Sequence, residues 1–439
     1  MPININLTKI FFYSTFVSIF FPLWQINAGL LINPYQVFGL FFLIFFVFKN
    51  LYFTQKIHVK KSAYLLICFM LLSVVTKFAG IIPLFYLGQS NFDYVTQFSK
   101  GIIFTLYNFI LFSCMLIYVL SLDKKIDYKL LEVFQSIIIF ACFYQFAQVF
   151  LLVFIGIDLD GLVWPNISYN FSLENLPLQS QGLGLGDQST FYRAGSIFGN
   201  PNVFAAFLIF GISIFSLRFL FEKNFKYLFF LLIVCMSLLI TLSRSGIASS
   251  IICFFLIFIF YFGFFIKNFK KHVLIFFALL LTPVFIYSDI FVELFKIRFL
   301  NLNPNDLFGT RADLWIAGFE IIKENPVFGV GLNNSPVALD NYLIVNTTGR
   351  NLHNYYIENI VNHGLLGFIL IFSIWVFLLL NFKKDNLFSS IIFFTLIPIL
   401  ILSFSTNVID HAFISLPLLI IFSMFTKDDV NILHKGNLE

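Results

Sequence analysis

The sequence predicts an all-α polytopic membrane protein, and three observations lead to that fold class. Of the 439 residues, 59% are hydrophobic and only 11% are charged, which is more apolar sequence than a soluble core could bury. The apolar residues fall in runs of about 20, the length that crosses a bilayer as a helix. Lys and Arg concentrate in alternate loops between those runs, as expected when cytoplasmic loops retain positive charge.

About twelve apolar runs are candidate membrane spans. They cover residues 9–24, 30–48, 62–86, 101–121, 130–156, 202–221, 227–243, 245–266, 272–288, 356–380, 387–404 and 408–425. The first run has no convincing signal-peptide cleavage site and is followed by further spans, so we predict an uncleaved helix. The five Cys residues stand singly inside apolar runs and are predicted to be buried thiols.

The distribution of basic residues predicts the topology. Eighteen of the 27 Lys and Arg residues fall at the termini or in one set of alternate loops, so both termini are predicted to be cytoplasmic. The chain then divides into an N-terminal transmembrane bundle, a first outer loop, further transmembrane helices, a large main outer loop with an amphipathic helix, and C-terminal transmembrane helices with a cytoplasmic tail. These segments cover residues 1–156, 157–200, 201–288, 289–355 and 356–439.

Arginine follows the opposite pattern from lysine. Five of the six arginines, but only four of the 21 lysines, are predicted on the outer face. The planar guanidinium binds phosphate or carboxylate through two hydrogen bonds, which lysine cannot match. Each arginine alone could simply pair with an outer aspartate, but together they favour an anionic ligand. The five are Arg193, Arg244, Arg298, Arg311 and Arg350.

Two of these arginines lie where loops meet membrane helices. Asn200 followed by Pro201 is typical of a helix N-cap with proline at the first helical position, which places Arg193 just before a span. Arg244 lies in the turn Thr241-Leu242-Ser243-Arg244-Ser245-Gly246 between two spans. A charge at the bilayer centre costs about 2.5–3.5 kcal/mol, so this turn is expected at the outer interface. Snorkelling of the side chain is the alternative explanation.

The main outer loop contains a helical pattern and a histidine at its end. From Thr310 to Glu324 the spacing predicts an amphipathic helix along the membrane surface, with Leu314, Trp315, Gly318, Phe319 and Ile322 on its apolar face. The segment Gly329 to Asn334 is predicted to be a flexible turn. His353 stands at the junction with the next span and could accept a proton from a hydroxyl group, or could be an interfacial residue bonded to a carbonyl.

Other chemistries have weaker support. The sequence has no His-Glu-x-x-His motif and no Cys/His cluster, so no metal is expected. The pair Asp158 and Asp160 could hold a divalent cation but is more typical of a loop surface. There is no nucleotide-binding loop, so no cofactor is expected, and nothing points to a nucleic-acid partner.

Several motifs together resemble the bacterial O-antigen polymerase (Wzy) and O-antigen ligase superfamily. The resemblance covers roughly residues 190–370, while the first five spans are similar only in hydropathy. Its motifs are Phe198-Gly199-Asn200-Pro201-Asn202, Leu242-Ser243-Arg244-Ser245-Gly246, Arg311 with Trp315, Pro326-Val327-Phe328-Gly329-Val330-Gly331, and His353-Asn354-Tyr355-Tyr356 with Gly364-Leu365-Leu366-Gly367.

The resemblance implies a metal-independent glycosyltransferase with a GT-C-like fold in the bacterial inner membrane, active on the periplasmic face. Its donor and acceptor would be undecaprenyl-diphosphate-linked oligosaccharides, with a chain-length regulator and a flippase as further partners. His353 would be the catalytic base. The substrate-binding residues would be Arg193, Arg244, Arg311, Arg350, Asn354 and Tyr356.

The resemblance leaves the reaction open between two members of the superfamily. Ligases often have a second histidine just before the His-Asn pair, whereas here Arg350-Asn351-Leu352 precedes His353. This difference favours a polymerase over a ligase that transfers the chain to lipid A-core. A lipid-linked-oligosaccharide flippase or other transporter is the alternative from another class, but apart from Lys77 the predicted spans carry almost no charge away from their ends.

Overall fold

The fold is described from a computed structural model of the chain. The structure describes residues 7–21, 26–27, 31–52, 61–79, 92–122, 124–157, 159, 173–177, 190–198, 200–268, 310–340, 342, 351–409 and 411–435. The predicted ninth span, 272–288, lies outside these residues, as do most of the first outer loop and the start of the main outer loop.

Helices dominate the described residues, in agreement with the predicted fold class. They are α1 (Leu7–Ser18), α2 (Pro34–Tyr52), α3 (Lys61–Ala79), α4 (Phe92–Ser121), α5 (Lys124–Phe150), α6 (Pro201–Glu222), α7 (Lys226–Ile240), α8 (Arg244–Asn268), α9 (Thr310–Glu324), α10 (Ser335–Leu339), α11 (Tyr355–Leu380), α12 (Leu387–Leu402) and α13 (Ala412–Lys435). Two antiparallel pairs of short strands accompany them: β1 (Ile26–Asn27) with β2 (Leu31–Ile32), and β3 (Leu173–Pro177) with β4 (Thr190–Ala194).

Five of these helices are long and apolar enough to cross a membrane, judged by length and composition over the described residues. They are α4, α5, α6, α8 and α11, and five shorter apolar helices belong to α2, α3, α7, α12 and α13. The predominance of helices is therefore confirmed for the described residues, and their length and composition are consistent with a membrane protein. The count of twelve spans, the orientation and the segment boundaries stay predictions.

The chain contacts divide it into two compact units. The first contains residues 1–56, 122–283 and 412–414, and the second contains residues 57–121, 284–411 and 415–439. Helix α6 is the core of the first unit, because its apolar residues are buried on all sides. Its Phe207 and Phe210 lie 5.8 and 5.3 Å from Phe134 of α5, between ring centroids.

In the second unit, α9 packs on the segment that leads into α11. Leu314, Ala317 and Ile321 of α9 share a buried cluster with Leu352 and Val361. A side chain at Gly318 would approach Leu352 and Ile357 to within 2.9 Å, so glycine permits this close approach. The predicted helix has the correct bounds, and its apolar residues divide between the buried cluster and an exposed side. Phe319 is 52% exposed, beside Ile316 at 60%.

All five cysteines are free thiols, as predicted. Cys142, Cys235 and Cys253 are buried and Cys114 is partly buried. Cys68 is exposed, which contradicts its predicted burial. In a membrane helix an exposed apolar position can face lipid, so exposure there has little free-energy cost.

Candidate functional site in the helical membrane protein

His353 lies in a short segment held on both sides before α11. On one side, Trp315 Nε1 of α9 donates to the Leu352 carbonyl at 2.9 Å. On the other, Asn354 begins the helix as its N-cap. His353 itself has φ +49°, in the left-handed region that costs a non-glycine residue about 1–2 kcal/mol. Such conformations persist where the surroundings enforce them, and they cluster at functional sites.

The N-terminal N–H groups of α11 already have partners. Tyr355 N donates to the Ser403 carbonyl at 2.9 Å. Tyr356 N and Ile357 N donate to Asn354 Oδ1 at 3.0 and 3.2 Å. A helix N-terminus often binds anions through free N–H groups. Because these three groups are engaged, they are not available to bind an anion beside His353.

Arg311 is the cation that acts on His353. It occupies the first turn of α9, the helix whose Trp315 holds the Leu352 carbonyl, and it is partly exposed. Burial, and secondly the guanidinium of Arg311, lower the pKa of His353 below its ordinary 6.5. A lower pKa leaves the imidazole neutral at physiological pH, which is the form that can accept a proton.

The helix α11 is interrupted at Gly364, and the segment 326–331 docks at this break. Gly364 has φ +65° and ψ −178° inside the helix, a conformation essentially restricted to glycine. The segment 326–331 fills the break. Val330 N and Gly331 N donate to the carbonyls of Val361 and Asn362 at 2.8 and 3.0 Å, and Leu365 N donates to the Pro326 carbonyl at 2.8 Å. The flexible turn predicted here is therefore a docked segment that supplies the hydrogen bonds lost at the break.

Arg244 lies in the first unit, at the start of α8. The turn before it is fixed by Ser243, whose Oγ donates to Asn202 Oδ1 at 2.7 Å and accepts from Gly246 N at 3.2 Å. A Cβ on Gly246 would clash with Ala205 Cβ, so α6 and α8 touch at their N-termini. The predicted turn is confirmed as a turn between the helices α7 and α8. It places the partly exposed Arg244 beside two adjacent helix N-termini, whose dipoles favour negative charge.

The predicted helix start at Pro201 is also confirmed. Asn200 Oδ1 accepts from Asn202 N and Val203 N at 2.8 and 3.3 Å, and Pro201 occupies the first helical position. The same Asn202 accepts the bond from Ser243, so the two sequence motifs that contain these residues are in direct contact. This link between residues 41 positions apart has no local signal in the sequence.

Arg193 and Arg350 are described less fully. Arg193 lies in β4, where its Cα pairs in register with Glu174 of β3. The chain that follows is anchored to α5: Gln145 Nε2 donates to the Ala194 carbonyl at 2.9 Å, and Ser196 Oγ donates to the Ala141 carbonyl at 2.6 Å. Arg350 lies outside the described residues. The roles predicted for both arginines stay predictions.

Asn354 and Tyr356 have clear structural contacts. Asn354 is buried, and its Oδ1 forms the cap of α11. Tyr356 Oη donates to the Leu400 carbonyl at 2.7 Å, and its ring lies 4.3 Å from that of Phe404. Both residues therefore position the start of α11. Their predicted contacts with substrate stay predictions.

Within the described residues, no group of three or more His, Cys, Asp or Glu side chains could hold a metal ion. Asp158 and Asp160, the pair considered for a divalent cation, lie outside the described residues. The expected independence from metal stays a prediction.

These features define a helical membrane protein with a histidine and arginines at helix starts. Residues 228–372 match the model of the family described as O-antigen ligase. This region contains Arg244, Arg311 and His353, and the match supports the resemblance to the O-antigen polymerase and ligase superfamily, whose members are glycosyltransferase-like enzymes. No curated protein matches the chain.

Proposed function

We propose that this protein is an O-antigen or related surface-polysaccharide polymerase, which joins undecaprenyl-diphosphate-linked repeat units on the periplasmic face of the bacterial inner membrane. The observation that carries the proposal is that a superfamily region contains a histidine of lowered pKa beside an arginine, both fixed by helix packing. No cofactor is needed, because the diphosphate is already an activated leaving group.

In the proposed reaction, neutral His353 takes the proton from the acceptor hydroxyl. The acceptor oxygen then forms a bond to the anomeric carbon of the donor sugar as the bond from that carbon to the diphosphate oxygen breaks. General-base catalysis of this kind contributes about 10² to 10⁴ in rate. The left-handed backbone at His353 and the bond from Trp315 to Leu352 support this role, because they fix the position of the imidazole.

The arginines are proposed to bind the diphosphate and stabilise the charge it gains on leaving. Charge-assisted hydrogen bonds of this kind are worth about 1.5–3 kcal/mol each. Arg311 is the arginine of the second unit whose charge acts on His353. Arg244 lies in the first unit beside two helix N-termini, and Arg193 and Arg350 complete the proposed set.

A ligase is the second candidate, because the matching family is described by that activity. The polymerase is preferred because no second histidine precedes the His353-Asn354 pair, where Arg350-Asn351-Leu352 stands instead. The proposed partners are a chain-length regulator and a flippase for the lipid-linked repeat unit.

Deletion of the gene in its native host tests the proposal by a lipopolysaccharide gel. For a polymerase, the ladder should collapse to core plus one repeat. Bare core, with long chains accumulating on the lipid carrier, would instead identify a ligase. An unchanged ladder, with capsule and other surface polysaccharides also unchanged, would reject glycan transfer.

Arg244→Lys should lose nearly as much activity as Arg244→Ala, on the order of a hundredfold or more in turnover. Lysine keeps the positive charge but cannot form two parallel hydrogen bonds to a phosphate. The measurement is polymerisation of a lipid-linked repeat unit by purified protein. Lys323→Ala, which changes an exposed side chain on α9, is the control for expression and purification. Full activity of Arg244→Lys would contradict bidentate binding.

Arg311→Gln should move the acid limb of the pH–activity profile to higher pH. The positive charge of Arg311 disfavours the imidazolium, so its removal lets the pKa of His353 rise. The variant then protonates, and loses its base, at a pH where the wild type is still active. Lys323→Gln, at the far end of the same helix, removes the same charge and should leave the limb in place. An unshifted limb in Arg311→Gln would show that the two groups are not coupled.

A further inference from the structure

A groove lies on the first unit, and all of its lining except Phe230 precedes the region that matches the family model. It has a volume of about 540 Å³ and runs between α5 and α7, with Arg218 of α6 at its base. The exposed polar side chains of the groove are Glu132 and Ser136 of α5, with Lys226 of α7 opposite. The proposed reaction uses none of these residues.

The base of the groove is a fixed polar network. Arg218 is buried, forms a salt bridge to Glu222 at 2.5 Å and donates to Gln135 Oε1 at 2.9 Å. Tyr227 Oη donates to the other oxygen of Glu222 at 2.8 Å, and its ring lies 4.5 Å from the Arg218 guanidinium. Glu222 therefore neutralises Arg218, and the charges of the lining that are left to meet a ligand are one carboxylate, Glu132, and one ammonium, Lys226.

Gln135 adds an unsatisfied donor. Its side chain is buried and lines the groove, and its Nε2 has no hydrogen-bond partner in the structure. Unsatisfied buried donors are rare and cost about 1–3 kcal/mol. An acceptor atom bound in the groove would supply the missing partner after a small movement of the amide.

The groove becomes apolar along α5. Further along α5, beyond Ser136, the groove is lined by Phe140 and Phe143, which are both about half exposed. Phe230 of α7 lines it as well. Glu132 and Phe143 are eleven positions apart in α5, which is about 16.5 Å at 1.5 Å per residue. One end thus carries one charge of each sign, and the rest is an apolar channel.

From this arrangement we infer that the groove binds a phospholipid with a primary-amine zwitterionic head group. The lipid ammonium would lie on Glu132, its phosphate would accept from Lys226 and Gln135, and an acyl chain would lie along Phe140 and Phe143. The basic residues of the loops at this end of α5 and α7 belong to the set predicted to be cytoplasmic, so the lipid belongs to the cytoplasmic leaflet. This site is independent of the proposed polymerase function.

Native mass spectrometry of the full chain tests the inference, with phosphatidylethanolamine, phosphatidylcholine and phosphatidylglycerol added at equal concentration. Phosphatidylethanolamine should be retained about tenfold over phosphatidylcholine, whose quaternary amine cannot donate a hydrogen bond to Glu132. Equal retention of the three lipids would overturn the inference, and so would a preference for phosphatidylglycerol.

Two exposed positions separate the roles of the head-group contacts. Glu132→Gln should reduce the preference for phosphatidylethanolamine over phosphatidylcholine to near parity. Lys226→Gln should weaken retention of both lipids by about tenfold. Lys223→Gln, in the same turn as Lys226 but outside the groove, is the matched control and should bind as the wild type does. Unchanged lipid selectivity in Glu132→Gln, with normal size-exclusion elution, would also overturn the inference.

Discussion

Replacing His353 with asparagine should lower glycan transfer by about 10² to 10⁴-fold while leaving binding of the lipid-linked donor within about threefold. The expected loss equals the rate factor that a general base contributes, because asparagine cannot accept the proton of the acceptor hydroxyl. Asparagine is a better test than alanine, because asparagine tolerates the left-handed backbone found at residue 353, where φ is +49°. The variant therefore removes the imidazole without forcing the segment between Leu352 and Asn354 to change shape.

Two measurements separate chemistry from binding in His353→Asn. Turnover is followed by polymerisation of a lipid-linked repeat unit, and donor affinity is measured on the same purified protein. His411→Asn is the control, since His411 is an exposed histidine of the same unit. If His353→Asn retained more than a tenth of wild-type turnover, His353 would be a structural residue at the helix start and the proposed base would have to be sought elsewhere.

The sequence predicted those parts of this site that depend on local rules. The N-cap at Asn200, the turn before Arg244 and the bounds of α9 all follow from residue preferences within one turn of helix, and each is confirmed. The distribution of arginine and the position of His353 at a loop-to-span junction identified these residues as candidates, and the family motifs then added their roles. The pairing of Arg311 with His353 was not predicted, because residues 42 positions apart come together only through packing of α9 on the chain before α11.

Two features of the structure were not predicted, for the same physical reason. The apolar face of α9 was predicted from its apolar residues, Phe319 among them, without deciding which of them pack against the protein. The face that meets Leu352 follows the spacing Leu314, Ala317 and Ile321, about 100° per residue, which turns Phe319 outwards. Hydropathy averaged over 20 residues also missed the break in α11, since one glycine conformation leaves the average unchanged. The exposed side chain of Phe319 is consistent with α9 lying on the membrane surface. That location of α9 stays a prediction.

The break in α11 gives the second large expected effect. Gly364→Ala should prevent stable accumulation of the protein, because the new Cβ would clash with the Val327 carbonyl oxygen. Real Cβ atoms do not approach backbone oxygen so closely, so the segment 326–331 would have to leave the break. Its departure would leave the carbonyls of Val361 and Asn362 without their hydrogen bonds, at several kcal/mol for each unpaired group inside a membrane.

Gly156→Ala separates this clash from the strain of a left-handed backbone. Gly156 has φ +75°, close to the +65° of Gly364, but a Cβ there would meet nothing within 4 Å. Gly156→Ala should therefore cost only the conformational strain, about 1–2 kcal/mol, and the protein should accumulate. The measurement is the yield of monodisperse protein by size-exclusion chromatography, followed by its thermal midpoint in the same detergent. If Gly364→Ala and Gly156→Ala gave equal yields and midpoints, the docked segment would not stabilise the broken helix, and the position of His353 just before that helix would need another support.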